Sequence, residues 1–122
     1  MKIQESAEMY LETILILSKE SPPVRSIDIA NELEYTKPSV SVGMKNLREN
    51  GYIEMDADSY ITLTEKGMAI AKSVYEKHIL LSEWLTFLGV NKKTATEDAC
   101  RIEHVISEES FEAIKRHVQK HN

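Results

Sequence analysis

The chain has 122 residues, 42% of them hydrophobic, which suits one compact domain or two small helical layers with a real core and no covalent staple. A single cysteine excludes an intramolecular disulfide and fits a reducing interior; no signal peptide is visible, and no apolar run nears the roughly 18 residues that span a membrane, so a cytoplasmic protein with no membrane partner is expected. The net charge of -5 argues against loose, non-specific nucleic-acid binding, although only the charge of the contacting face decides that.

Residues 6 to 20 are expected to form a helix, with Ser6 as N-cap and Tyr10, Leu11, Ile14, Leu15 and Leu17 as its apolar stripe. Ser21-Pro22-Pro23 breaks it. Ser26 is expected to cap a short second helix, Ile27 to Leu33, and Glu34-Tyr35-Thr36 forms a three-residue turn into a third. Thr36 is the N-cap of that third helix, Pro38 sits in its first turn, where a missing N–H costs nothing, and Asn50-Gly51 stops it. Tyr52-Ile53-Glu54-Met55 and Tyr60-Ile61-Thr62-Leu63 are β-prone runs joined by Asp56-Ala57-Asp58-Ser59, the pattern of a hairpin. Thr64 opens a long helix to Leu88, ended by Gly89; a further helix over 94 to 106 follows Asn91, and Ser107 caps a last one through Phe111, Ile114 and Val118.

The order helix, helix, turn, helix, hairpin is that of a winged helix-turn-helix, so the fold class is mainly α with a small β-wing. The DNA-contacting residues are then expected at Ser26 and along the exposed start of the third helix: Thr36, Lys37, Pro38, Ser39, Ser41 and Val42, with Lys45 and Arg48 further on. Hydroxyls bond to phosphates or base edges, Val42 suits a thymine methyl, and the cations neutralise phosphates. The same shape also serves as an inert packing unit or a protein-docking module.

Cys100-Arg101-Ile102-Glu103-His104 sets a thiolate, a carboxylate and an imidazole at i, i+3 and i+4, one face of a helix. The three are a divalent transition-metal ligand set, and the thiolate tilts preference away from Mg or Ca. Met9 and Glu12 share a face of the first helix, and His78 lies on the long helix. Each residue alone has a plain explanation: Met9 as core filler, Cys100 as a small buried hydrophobe, His78 as a flank residue, Glu12 and Glu103 as solvated charges. Jointly they would be costly to bury without a cation, and spacing alone leaves both readings open.

The stretches Glu8-Met9-Tyr10-Leu11-Glu12-Thr13-Ile14, Lys77-His78 and Glu97-Asp98-Ala99-Cys100-Arg101-Ile102-Glu103-His104-Val105-Ile106-Ser107 resemble the diphtheria toxin repressor family of metal-dependent transcriptional regulators, over nearly the whole chain. The resemblance implies a homodimeric winged-helix repressor that binds a palindromic double-stranded DNA operator when loaded with Fe(II) or Mn(II) and controls iron or manganese homeostasis. It implies a DNA-binding domain at 1–64 and a helical dimerisation and metal-binding domain at 65–122, too short to add the SH3-like domain that members often carry.

Met9, Cys100, Glu103 and His104 match the activating site of the iron-responsive branch, and His78 a ligand of both branches. Ser82 and Thr96 stand where the iron-responsive branch has further ligands, which disfavours its second site, while Glu12 matches a ligand of the manganese-responsive branch. The expected centre is thus a hybrid: one site from Met9, Cys100, Glu103 and His104, and a weaker one supported by Glu12 and His78. The soft Met and Cys favour Fe(II), or in vitro Co(II), Ni(II) and Zn(II), over Mn(II), with cellular availability choosing among them. Ligands on the first helix and in the C-terminal half, sharing a cation, would fix the spacing of two recognition helices in a dimer. The dimer surface is expected at Leu80, Leu81, Trp84, Phe87 and Leu88, or these are plain core. Val42 stands where relatives can carry a polar base-reading residue, so the operator preference does not transfer. Competing readings are a thiol-redox winged-helix regulator using Cys100 and a small metalloenzyme; no nucleophile with an adjacent base and no Gly-rich phosphate loop supports the latter, so no enzymatic activity is expected.

Overall fold

Local capping chemistry decides where most of the helices begin. The computed structural model describes residues 5–120 in the order α1 (Glu5–Glu20), α2 (Ser26–Leu33), α3 (Lys37–Glu49), β1 (Ile53–Met55), β2 (Ile61–Leu63), α4 (Glu65–Phe87), α5 (Lys92–Ile102) and α6 (Glu108–Lys120). The chain divides into two compact units, one ending at Lys72 and the other starting at Ser73, within α4. The mainly helical fold with a two-stranded wing is as expected.

In the first unit, Glu5 and Ser6 are both helical residues of α1, so Ser6 is not the cap. Ser26 is likewise the first residue of α2: Arg25 is the N-cap, and its N–H donates to Asp28 Oδ2 at 2.9 Å. The carboxylate three residues on defines the helix start better than the serine. Thr36 caps α3 as expected, its Oγ1 accepting from Ser39 N at 3.3 Å. Thr36→Ala is predicted to cost about 1 kcal/mol, read as a lowered midpoint of chemical denaturation with an unchanged slope.

The core of this unit includes Leu11, Ile14, Ile29, Val40, Met44 and Leu47, all at most 3% exposed. The wing pairs β1 and β2 antiparallel, with Glu54 opposite Thr62. Asp56 Oδ1 folds its tip by accepting from the backbone N–H groups of Asp58 and Tyr60, at 2.9 and 3.0 Å. Val24, just after the proline pair, adds an isolated bridge to Ile61, whose N–H donates to Val24 O at 2.7 Å. Thr64 staples the wing to the helices on either side of it: its Oγ1 donates to Gly51 O at 2.6 Å and accepts from Gly67 N at 3.1 Å.

The second unit is built on the rest of α4 with α5 and α6, and Val74, Leu81, Ala95, Ala99 and Phe111 are buried within it. Asn91 caps α5, its side chain accepting from Lys93 N at 2.9 Å, and Ser107 caps α6 by accepting from Ser110 N at 3.1 Å. Lys77 Nζ, on a buried residue of α4, reaches Glu108 Oε1 at 2.6 Å and so fixes the start of α6. Glu76 pairs with the half-exposed Lys115 of α6, whose ammonium it holds above the usual lysine range through a hydrogen bond and its charge.

Candidate metal centre

The expected helix over 94 to 106 is shorter: α5 ends at Ile102, and Glu103 and His104 belong to the turn that leads to α6. The face survives this shortening for a physical reason. Glu103 keeps helical dihedrals (φ -58, ψ -25), and its N–H still bonds Ala99 O at 2.9 Å. The chain tightens only afterwards, where Val105 N donates to Ile102 O at 3.0 Å. Cys100, Glu103 and His104 therefore keep their one-turn spacing, and one ligand atom from each lies within 4.8 Å of the others.

Glu103 is the hub of the cluster. It is 1% exposed; its Oε2 lies 2.8 Å from His78 Nδ1, and its Oε1 lies 3.3 Å from Nε2 of the fully buried His104 side chain. A carboxylate this buried among imidazoles, with a thiol beside it, is strongly desolvated, and a divalent cation offsets that cost better than a proton on one ring. The soft sulfur, borderline imidazole and hard carboxylate fit a first-row transition metal. His78 is thus joined to the expected cluster, a contact 25 residues apart in sequence.

On α1, Glu12 is buried at 7% exposure. Met9 is half-buried, and its sulfur accepts a hydrogen bond from the Tyr35 hydroxyl at 3.3 Å. Sequence patterning gives no sign of that contact with the turn before α3. Burial lifts the phenol of the adjacent Tyr10 above its ordinary range, with Tyr35 adding to the effect.

The expected DNA-contacting residues present themselves as a face. Thr36, Lys37, Pro38, Ser39, Ser41, Val42, Lys45 and Arg48 are all exposed, with Val42 at 61%, and Ser26, Lys37 and Ser41 line one depression together with Ile27. α3 carries Lys37, Lys45 and Arg48 with no acid in its first turn, so exposed cations stand along it although the chain is net -5.

Two family descriptions cover the chain in tandem. That of the iron dependent repressor N-terminal DNA-binding domain matches residues 2–60, and that of the iron dependent repressor metal-binding and dimerisation domain matches residues 64–122. The chain belongs to the iron-dependent repressor family. Proteins similar to it include an uncharacterised HTH-type transcriptional regulator of Methanocaldococcus jannaschii, MJ0568, 37% identical over 97% of this chain and 96% of its own length. The transcriptional regulator MntR of Escherichia coli O157:H7 is 34% identical over 97% of this chain and 76% of its own. Among solved structures, the manganese regulator SloR superposes with a TM-score of 0.82 at 28% identity, over 98% of this chain and 55% of the SloR chain. Among the described residues, no helix is long and apolar enough to cross a membrane.

Proposed function

We propose that the protein is a cytoplasmic repressor that binds a palindromic DNA operator as a homodimer when loaded with Fe(II) or Mn(II), and so controls iron or manganese homeostasis. The observation that carries this reading is the convergence of Cys100, Glu103 and His104 within 4.8 Å around a buried carboxylate, in a chain whose other half presents the exposed start of α3 with Lys37, Lys45 and Arg48. Cys100, Glu103 and His104 hold the cation, with Met9 as a further ligand and Glu12 and His78 supporting a second site. Residues 1–64 form the DNA-binding domain and 65–122 the dimerisation and metal-binding domain in this reading.

A bound divalent cation supplies positive charge and directional coordination. The ligands then gain most in the one arrangement that gathers them all, which shifts the population toward the DNA-competent form. Dimerisation is assigned to the open groove of about 910 Å³ between α4 and α6, where Phe87 is 74% and Leu88 59% exposed. Leu81, expected on this surface, is 1% exposed and belongs to the core.

Calorimetric titration of the anaerobic metal-free protein tests the reading. Saturable binding of Fe(II) or Mn(II) supports it, two equivalents per chain assign Glu12 and His78 to a second site, and absence of binding by either metal contradicts it. On the DNA side, Lys37→Ala and Arg48→Ala are each predicted to lower the slope of log affinity against log salt by about 1, uniformly across sequences, if each neutralises one phosphate. Unchanged slopes in both variants would remove these residues from the interface.

A further inference from the structure

Tyr35 sits in the turn between α2 and α3, one residue before the Thr36 cap, and its hydroxyl donates to Met9 Sδ at 3.3 Å. Its ring meets Tyr10 edge-on, with centroids 6.1 Å apart and planes at 86°. Tyr10 in turn fills the space beside Gly43 of α3, where an added Cβ would stand 2.4 Å from Tyr10 Cε2. Two consecutive residues of α1 are therefore held against the turn and the recognition helix. Tyr35 as a residue is 41% exposed, so burial alone does not force its bond to sulfur.

Methionine has three rotatable bonds and a weakly accepting sulfur. Left alone, it spreads over several rotamers, and selecting one for coordination costs entropy. A single donor restrains the side chain while leaving a sulfur lone pair for a cation.

We propose that Tyr35 is a positioning residue of the metal centre, holding the Met9 thioether in one rotamer and tying that ligand to the turn that sets the recognition helix. The inference rests on the reading of Met9 as a metal ligand. Because Tyr35 immediately precedes the cap of α3, the restraint is mutual, and a fixed Met9 also steadies the turn.

Anaerobic Co(II) titrations followed by absorption, on the wild type, Tyr35→Phe, Met9→Leu and the double variant, test the proposal. Phenylalanine keeps the ring against Tyr10 and removes only the hydroxyl. Tyr35→Phe is expected to weaken Co(II) binding about threefold to tenfold, and to change it less than about twofold in the Met9→Leu background, as a double-mutant cycle requires of two groups acting together. The metal-free thermal midpoints of the wild type and Tyr35→Phe should coincide. Wild-type affinity in Tyr35→Phe overturns the proposal, as does an equal loss in both backgrounds, which would mean an effect through packing. A wild-type chain that binds no Co(II), or a Met9→Leu chain that binds it unchanged, would instead overturn the metal-centre reading itself or the place of Met9 in it.

Discussion

Replacing Glu103 by glutamine is expected to weaken Fe(II) or Mn(II) binding at least about 100-fold and to abolish metal-stimulated DNA binding while leaving the metal-free fold intact. Groups outside the ligand shell typically cost 10- to 100-fold in metal affinity, so a direct ligand sits at or beyond the upper end. The side chain is 1% exposed and faces His78 Nδ1 at 2.8 Å and His104 Nε2 at 3.3 Å. Glutamine keeps the volume and offers a carbonyl oxygen to His78, so no cavity opens. What disappears is the negative charge at the centre of the cluster. His104→Ala should have the same effect on metal response. Circular dichroism of both metal-free variants checks the fold, and titration with metal checks the response; undiminished metal-stimulated binding in both would contradict the assigned site.

Gly67→Ala is expected to be the most damaging small substitution in the DNA-binding unit. An added Cβ would stand 2.0 Å from the backbone oxygen of Tyr52, a group that cannot swing aside because Tyr52 O also accepts from Thr64 N at 3.1 Å and Tyr52 N donates to Leu47 O at 2.9 Å. The start of α4 and the end of α3 would have to separate, at a cost of about 3 kcal/mol, the upper range for overpacking. Gly51→Ala is the control: Gly51 has φ +78 but no heavy atom within 4 Å of a Cβ, so only the left-handed penalty of about 1 kcal/mol applies. Denaturant midpoints should rank wild type, Gly51→Ala, Gly67→Ala. Equal losses in the two variants would mean that close approach is not what the glycine at 67 provides.

Most element boundaries were legible because they rest on local chemistry. Thr36 and Ser107 cap the helices that the sequence assigns to them, and Gly51 and Gly89 end theirs at positive φ. The misses are also local in origin. Ser6 and Ser26 look like caps, but a helix start depends on which N–H finds an acceptor, and at α2 Asp28 offers one to Arg25. The end of α5 was invisible to periodicity, since Glu103 keeps the helical pitch for one residue beyond the regular ladder.

The Cys-Glu-His cluster could be read from spacing because its three members lie within five residues of sequence. The approach of His78 to Glu103, and of Tyr35 to Met9, could not be, because those pairs are 25 and 26 residues apart and meet only through tertiary packing. For the same reason no sequence pattern separates Leu81, buried, from Phe87, exposed on the same helix, and Leu88, exposed just beyond its end.

The measurement closest to the central claim is DNA affinity with and without metal. A duplex selected from a random pool in the presence of Fe(II) or Mn(II) would be titrated with the wild-type protein at fixed salt, anaerobically, once with the metal and once with a chelator. The account predicts that the metal raises affinity by at least about 100-fold, some 2.7 kcal/mol of coupling. Equal affinity in the two titrations would contradict it.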